Sequence, residues 1–453
     1  MMSTTHIRAR CAAGLALAAL LTGPAAGEAP PVYAITGARV VTVSGPVYDP
    51  GVVLLRNGVI EAVGAAVAVP ADATVLDLPG HTVYPGLIDM GTTAGLDVPA
   101  PPPPKDARTR LDVERWKRQV LLRPDVEAAR FIKSDPGDLA KLAAYGITSV
   151  LAVPGGGAIA GRSSLLNVTA GEDEPQIGNI AELRTARLVV RTPVFLHTRF
   201  PGAPDGDAYP DSLMGVIAFV RQAFLDAGYA QAERARLEKT GVALPSPPFD
   251  PALEAAWPAL GGRMPVVFDA QEAHEIRRVL AFAREFSFDT IVAGGLEADK
   301  VTEDLKGRRA RVILSVNYPT RPATLAPEED EPIRVLRQRA AAPGVAAALE
   351  KAGVPYAFSS AGLKDMADFT RNVGRAVKAG LSTEAAVRAL TLGAATMAGA
   401  ADRLGSIEKG RIANVIVTKG GLFDDAMAVA HVFVAGRPVA VEPPAPRGER
   451  PVR

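Results

Sequence analysis

The middle of the chain alternates short apolar strands with amphipathic helices, and this alternation limits its fold more than any other feature. Pro265–Phe268 reads as a buried strand and leads into a helix with Ile276, Val279, Leu280 and Ala283 on one face. Thr290–Ala293, Arg311–Val316 and Pro355–Phe358 are further short apolar strands. Upstream, Asp135-Pro136 offers an N-cap followed by proline at the first helical position. That helix runs through Leu139, Leu142 and Ala143, stops at Gly146, and gives way to the strand Ile147–Val153. Strands separated by helices imply a parallel sheet. Over roughly 300 residues the leading α/β form is a closed (β/α)8 TIM-like barrel. A doubly wound sheet is the alternative, but no G-x-G-x-x-G follows the first strand of this region.

The two ends read differently. Residues 32–84 alternate short apolar runs (Ala38–Val43, Val52–Arg56, Val59–Val63, Thr74–Leu78) with Gly, Asn, Asp and Pro. Asn57-Gly58 between two such runs is a hairpin signal. Asn414–Thr418 and Val429–Val434 read as strands joined by the loop Lys419–Ala426. The expected organisation is a composite β-sandwich built from 28–84 and 396–441, a barrel inserted over 85–395, and a tail over 442–453. Pro99–Pro104 is a stiff proline run read as a loop spacer. The acidic cluster Glu328–Glu331 reads as a solvated loop face.

Residues 1–27 read as a secretory signal. Arg8 and Arg10 form a basic start, Cys11 to Leu21 an apolar run, and Ala25-Ala26-Gly27 a small-residue cleavage region. The run is short of the roughly 20 apolar residues that span a bilayer. A periplasmic or secreted protein with no membrane contact after signal removal is therefore expected. Cys11 is the single cysteine, so the mature chain would hold neither disulfide nor thiolate chemistry. With 50 basic against 49 acidic residues, no basic stripe points to nucleic acid. Aromatics make up 5%, too few for a sugar-stacking or single-strand-binding face.

Several ungapped blocks resemble the amidohydrolase superfamily, in particular its imidazolonepropionase-like branch. They are Gly58-Val59-Ile60-Glu61-Ala62-Val63-Gly64, Pro70-Ala71-Asp72-Ala73, Pro85-Gly86-Leu87-Ile88-Asp89, Gly146-Ile147-Thr148-Ser149-Val150, Leu404-Gly405-Ser406-Ile407-Glu408-Lys409-Gly410 and His431-Val432-Phe433-Val434-Ala435-Gly436. The resemblance spans about Val32 to Val441. It implies a barrel with a urease-type sandwich and hydrolysis of carbon–nitrogen bonds in cyclic amides or peptide-like substrates. It also implies one or two divalent ions, usually zinc, that activate water and polarise the scissile carbonyl. The family's ligands stand at strand ends: H-x-H after the first strand, histidines after the fifth and sixth, and an aspartate after the eighth.

This chain departs at each of those places. Gly91 and Thr93 stand where the first two histidines belong. In Pro265-Val266-Val267-Phe268-Asp269-Ala270-Gln271 the histidine places hold Asp269 and Gln271. Gly294 takes the sixth-strand histidine place and Ala361 the aspartate place. The expected mouth comprises Gly91, Thr93, Asp269, Gln271, Gly294, Glu297 and Ala361, with no metal ligand set and no cofactor. A complete zinc site supplies roughly 10–16 kcal/mol of apparent binding energy, which Asp269 and Gln271 alone cannot approach. A calcium or magnesium site would accept oxygens from Asp269, Glu297 or Asp365, which lie on different loops.

Of the remaining histidines, His81 and His431 fall in end strands and His274 on the polar side of its helix. His197, following a strand, is the imidazole placed to reach a barrel mouth. Weak catalytic candidates are Asp269, Asp365 and His197. Asp365 and Asp368 read first as helix caps. Pro154-Gly155-Gly156-Gly157 reads as a tight βα turn and not an anion cradle, since it lacks the G-K-[ST] ending. Ser163–Val168 is expected to line a pocket. Lys239 and Lys351 do not follow a fourth strand and are not read as carboxylated ligands.

The expected function is a metal-free pseudoenzyme that binds a small molecule or an active relative. The alternatives are an active hydrolase with an oxygen-rich or relocated metal site, and a non-catalytic subunit of a homo-oligomer or mixed complex.

Overall fold

The computed structural model describes residues 31–106, 108–133, 135–169, 187–201, 208–240, 250–322, 324–326 and 329–441. Residues 1–27, read as a signal, and the tail read over 442–453 lie outside these residues.

Strands from both chain ends pair in one eight-stranded sheet. Val32–Val41 is its centre, with Val47–Arg56 and Val59–Gly64 on one side. On the other side His81–Pro85 pairs parallel to it and antiparallel to Val415–Lys419, which carries Ala428–Val434 and Arg437–Val439 outward. Ala73–Asp77 runs parallel to the first half of the central strand. The Asn57-Gly58 hairpin forms as expected. Arg56 pairs with Val59, and both turn residues take positive φ, 53° and 79°, the conformation a two-residue hairpin of this type requires. Ile35, Val53, Ile60, Val83, Val415 and Phe433, drawn from both ends, close a core of their own.

Between the ends the fold is mixed α/β, but the strand ladder does not close. A four-stranded sheet contains Leu87–Thr92, Ile147–Ala152, Ser164–Asn167 and Val189–Arg191. A six-stranded sheet contains Ile159–Arg162, Leu196–Arg199, Val266–Ala270, Thr290–Gly294, Arg311–Ser315 and Tyr356–Ser359. The last five of these run parallel in chain order. Side chains alternate between two cores, as period-two strands require. Ile88, Leu151, Leu165, Val267, Ile291 and Ala357 from both sheets share one interior. Val150, Leu166, Phe268, Val292, Leu314 and Phe358 face the helices.

At one seam the ladder is interrupted. The Asp89 carboxylate, fully buried, accepts from Ser360 N (2.8 Å), Ser360 Oγ (2.5 Å) and Gly91 N (3.2 Å). Leu87–Thr92 and Tyr356–Ser359 meet here without a ladder, joined by these side-chain bonds and by Ser359 Oγ donating to Gly91 O (3.2 Å). At the other seam Ser163 bridges the sheets, through backbone bonds with Val194 and Phe195.

Three local expectations are corrected. Pro154–Gly157 does not lead into a helix but into the hairpin-like strands Ile159–Arg162 and Ser164–Asn167, which pair antiparallel with their neighbours and make the sheets mixed. Residues 135–146 form one α-turn, Gly137–Ala140, and a 3-10 turn, Lys141–Tyr145, with no side-chain cap from Asp135. The acidic cluster is solvated only in part: Glu329 and Asp330 are exposed, but Arg321 and Arg339 both pair with Glu331, whose side chain is 4% exposed. Glu328 lies outside the described residues. The strands expected at Ala38–Val43 and Val52–Arg56 start earlier, at Val32 and Val47; the other expected strands match within two residues, and the helix Ala273–Glu285 buries the apolar face read for it.

A buried amide network ties the four-stranded sheet to the end sheet. Asn414 Nδ2 donates to Asn167 Oδ1 (2.8 Å) and Ser149 Oγ (3.0 Å), while its Oδ1 accepts from Ala435 N (2.8 Å).

Candidate functional site

Parallel strands deliver their carboxyl ends to one face, and that face holds a cavity of about 590 Å³. The volume suits a small organic ligand. Of the seven residues expected at the mouth, Gly91, Thr93, Asp269, Gln271, Gly294 and Ala361 line it. Glu297 does not, and the expectation is corrected. Its carboxylate accepts from Ala273 N (3.0 Å), capping the helix Ala273–Glu285, and pairs with Lys300 (2.7 Å). Burial raises its pKa, but Lys300 and the Ala273 amide outweigh burial and hold it below the ordinary value.

Asp365 also stays out of the cavity lining. Its Oδ1 accepts from Ala367 N (2.9 Å) in the turn before the helix Asp368–Lys378, whose N-cap is Ala367 with no side-chain cap; neither Asp365 nor Asp368, which lies in the first turn and pairs with Arg371 (2.6 Å), is the helix cap expected of it. Ser163–Val168 does not line the cavity either, because Ser164–Asn167 is a buried strand of the four-stranded sheet.

His197 does reach the site, though from within a strand. It sits in Leu196–Arg199, opposite Val267, 7% exposed, and lines the cavity. Its Nε2 is buried without a hydrogen-bond partner among the described residues. Burial lowers its pKa to about 3, so the imidazole is neutral. Asp269 opens onto the cavity from the next strand, in register with Arg199. Asp269 is exposed at the mouth, and the protein crowded around it pushes its pKa up to about 6, opposed by the Arg199 charge. The Arg199 guanidinium is committed elsewhere, donating from Nε to Gly157 O (2.6 Å). Asp269 is therefore ionised at neutral pH with no hydrogen bond or ion pair among the described residues.

The places where the family carries histidines are occupied in another way. A Cβ added at Gly91 would lie 2.6 Å from Ser359 Oγ. That hydroxyl donates to Gly91 O (3.2 Å) and accepts from Ala361 N (3.0 Å). A Cβ at Gly294 would lie 2.2 Å from Gln271 Nε2, and Gly294 has φ +100°, a left-handed conformation that disfavours any side chain. Gln271 thus fills the space above Gly294, and Ser359 the space above Gly91. Sequence reading identified the missing ligands but not these replacements; Ser359 carried no signal that would have singled it out.

A zinc ion requires about four donors, histidine or cysteine above all, near 2.0–2.3 Å from one point. Among the described residues no three His, Cys, Asp or Glu side chains converge. The residues present do not fit the family's metal, and no chemical step is routed through one.

Residues 284–439 match the amidohydrolase family. No curated protein matches the sequence. An amidohydrolase from Thermotoga maritima MSB8 superposes with a TM-score of 0.70 at 22% identity, covering 90% of this chain and 99% of its own. A prolidase complexed with N-methylphosphonate-L-proline gives 0.53 at 17% identity, and a Xaa-Pro dipeptidase with methionine bound in the active site gives 0.51 at 15%. Each of these two covers 90% of this chain and 99% of its own. At such identities the likeness is one of fold. The chain thus resembles the amidohydrolase superfamily, in sequence over residues 284–439 and in fold over nine-tenths of its length.

Proposed function

We propose that this protein is an exported, metal-independent member of the amidohydrolase-like group that binds a small molecule at the barrel mouth. The observation that carries the reading is the filling of the ligand places: Ser359 against Gly91 and Gln271 against Gly294, in a cavity still open to about 590 Å³. A site that had merely decayed would leave voids at those glycines. Here polar side chains occupy them, and the Ser359 hydroxyl is held by hydrogen bonds to Gly91 O and from Ala361 N. The reading keeps the signal over 1–27, the barrel over 85–395 and a composite sandwich from 28–84 and 396–441. It places the protein in the periplasm or outside the cell.

Elemental mass spectrometry after dialysis of the purified protein against zinc, manganese and calcium tests it. Less than a tenth of an ion per chain is expected. About one tightly held ion per chain overturns the reading.

A second reading is favoured by one specific observation, the unpartnered Asp269 carboxylate with its pKa pushed up to about 6. A general base works best with a pKa near the working pH. Metal-free hydrolysis would then depend on Asp269, and Asp269→Asn would abolish turnover of amide or dipeptide substrates. Unchanged turnover would remove Asp269 from any mechanism.

A further inference from the structure

We infer that the cavity takes a small amine, with an ammonium or guanidinium head against Asp269 and a second hydrogen-bonding group reaching His197 deeper in the barrel. The inference rests on the small-molecule-binding reading above and names the ligand class.

Charge makes the first argument. Among the described residues lining the cavity, Asp269 and His197 are the ionisable ones, and His197 is neutral. The lining therefore presents one formal charge, and it is negative. The Asp269 carboxylate is exposed to the cavity without a partner among the described residues, and an incoming cation with N–H donors supplies one. Arg199, the nearest cation, spends its Nε–H on Gly157 O and makes no ion pair with Asp269. A carboxylate or phosphate ligand would meet repulsion from Asp269 and find no cation in the lining.

Geometry makes the second argument. His197 pairs with Val267, two residues before Asp269 on the adjacent strand. Two strand residues span about 7 Å, so Asp269 and His197 mark two levels of one cavity. His197 is more than nine-tenths buried and its Nε2 has no partner among the described residues, which costs the fold unless a bound group satisfies it. The wall beside them mixes Met90, Leu296 and Ile313 with Ser315 and Asn317, suited to a short carbon linker. An amine with a second polar group a few bonds away meets both levels.

The experiment is isothermal titration of the purified protein in low salt with putrescine, agmatine and benzylamine. Matched neutral (1,4-butanediol, benzyl alcohol) and anionic (succinate, benzoate) compounds are run alongside. At least one amine is expected to bind while its neutral and anionic matches do not. Asp269→Asn should weaken that amine roughly tenfold or more, the loss of a charge-assisted contact, with the circular dichroism spectrum unchanged. His197→Gln should weaken the two-group amines several-fold more than benzylamine. No binding by any amine, or affinity unmoved by Asp269→Asn, overturns the inference. Ala361→Trp, which crowds the mouth, separates the two levels of reading. A neutral or anionic compound that binds and is excluded by Ala361→Trp overturns the amine class while sustaining a small-molecule cavity. A retained metal ion overturns the metal-independent reading whatever the amines do.

Discussion

Replacing Asp89 by asparagine isolates the energetic cost of a charge sealed in the strand seam. Asp89 is fully buried and has no cation beside it; its contacts are the Ser360 and Gly91 donors. Burial pushes its pKa up to about 6, and those hydrogen bonds offset burial only in part. The folded protein therefore binds a proton more tightly than the unfolded chain, whose aspartate titrates near 3.8. Between these two values the native state carries more protons, so stability falls as pH rises from about 4 to about 6 and is level above. A two-unit difference corresponds to roughly 3 kcal/mol. Asparagine keeps an acceptor for Ser360 N and Gly91 N and cannot ionise. The test is urea unfolding of the wild type and Asp89→Asn at pH 4, 5, 6 and 7.5, reading the difference between them so that other titrating groups cancel. The difference should move in favour of the variant by roughly 3 kcal/mol between pH 4 and 7.5. A difference that stays flat across that range refutes the argument that Asp89 carries a buried charge.

Other outcomes follow from the site and the core. Gly294→Ala should cost about 1–3 kcal/mol, combining a left-handed backbone with overlap on Gln271; in a Gln271→Ala background the cost should shrink toward the backbone share, and equal costs in both backgrounds would show that Gln271 does not occupy that space. Phe268→Ala should cost about 3–5 kcal/mol in urea unfolding, since the ring is fully buried among Phe200, Phe282 and Phe288. A loss below about 1 kcal/mol would contradict the tight packing of that aromatic group.

Much of the barrel region was legible because its strands are short β-branched runs that begin next to charged or glycine residues. Ile147, Thr290 and Arg311 begin strands where the sequence says they should. The Ile276/Val279/Leu280/Ala283 face and the Asn57-Gly58 turn are local signals, and both hold. The strand pair after Pro154–Gly157 was missed because Gly161 and Arg162 break its apolar run, and tertiary pairing with Leu196–Arg199 and Ile147–Ala152 supplies what propensity lacks. The open ladder was not legible, because its seam is joined by Asp89 meeting Ser360 across 271 residues. At the site, the departures at Gly91 and Gly294 could be read from the blocks around them. What fills those places is a matter of rotamers from other strands, which no local pattern encodes. Glu297 looked like a mouth residue because its neighbours are; the strand turns at Gly294 and Gly295 and sends it to a helix start instead.

The pairing of His81–Pro85 with Val415–Lys419 makes the molecule a clasp, and the clasp sets when it can finish folding. Thr418 reaches Thr82 across 336 residues, so the first strands to be synthesised wait for some of the last before their apolar face is covered. Until then Ile35, Val53 and Val83 have no Val415 or Phe433 to pack against. Contacts of such long sequence separation are slow to form. A growing chain therefore carries an uncovered strand face for most of its synthesis, the kind of surface that chaperones hold. Removing the last two strand pairs would then undo the beginning of the chain, far from the cut in sequence and adjacent to it in space.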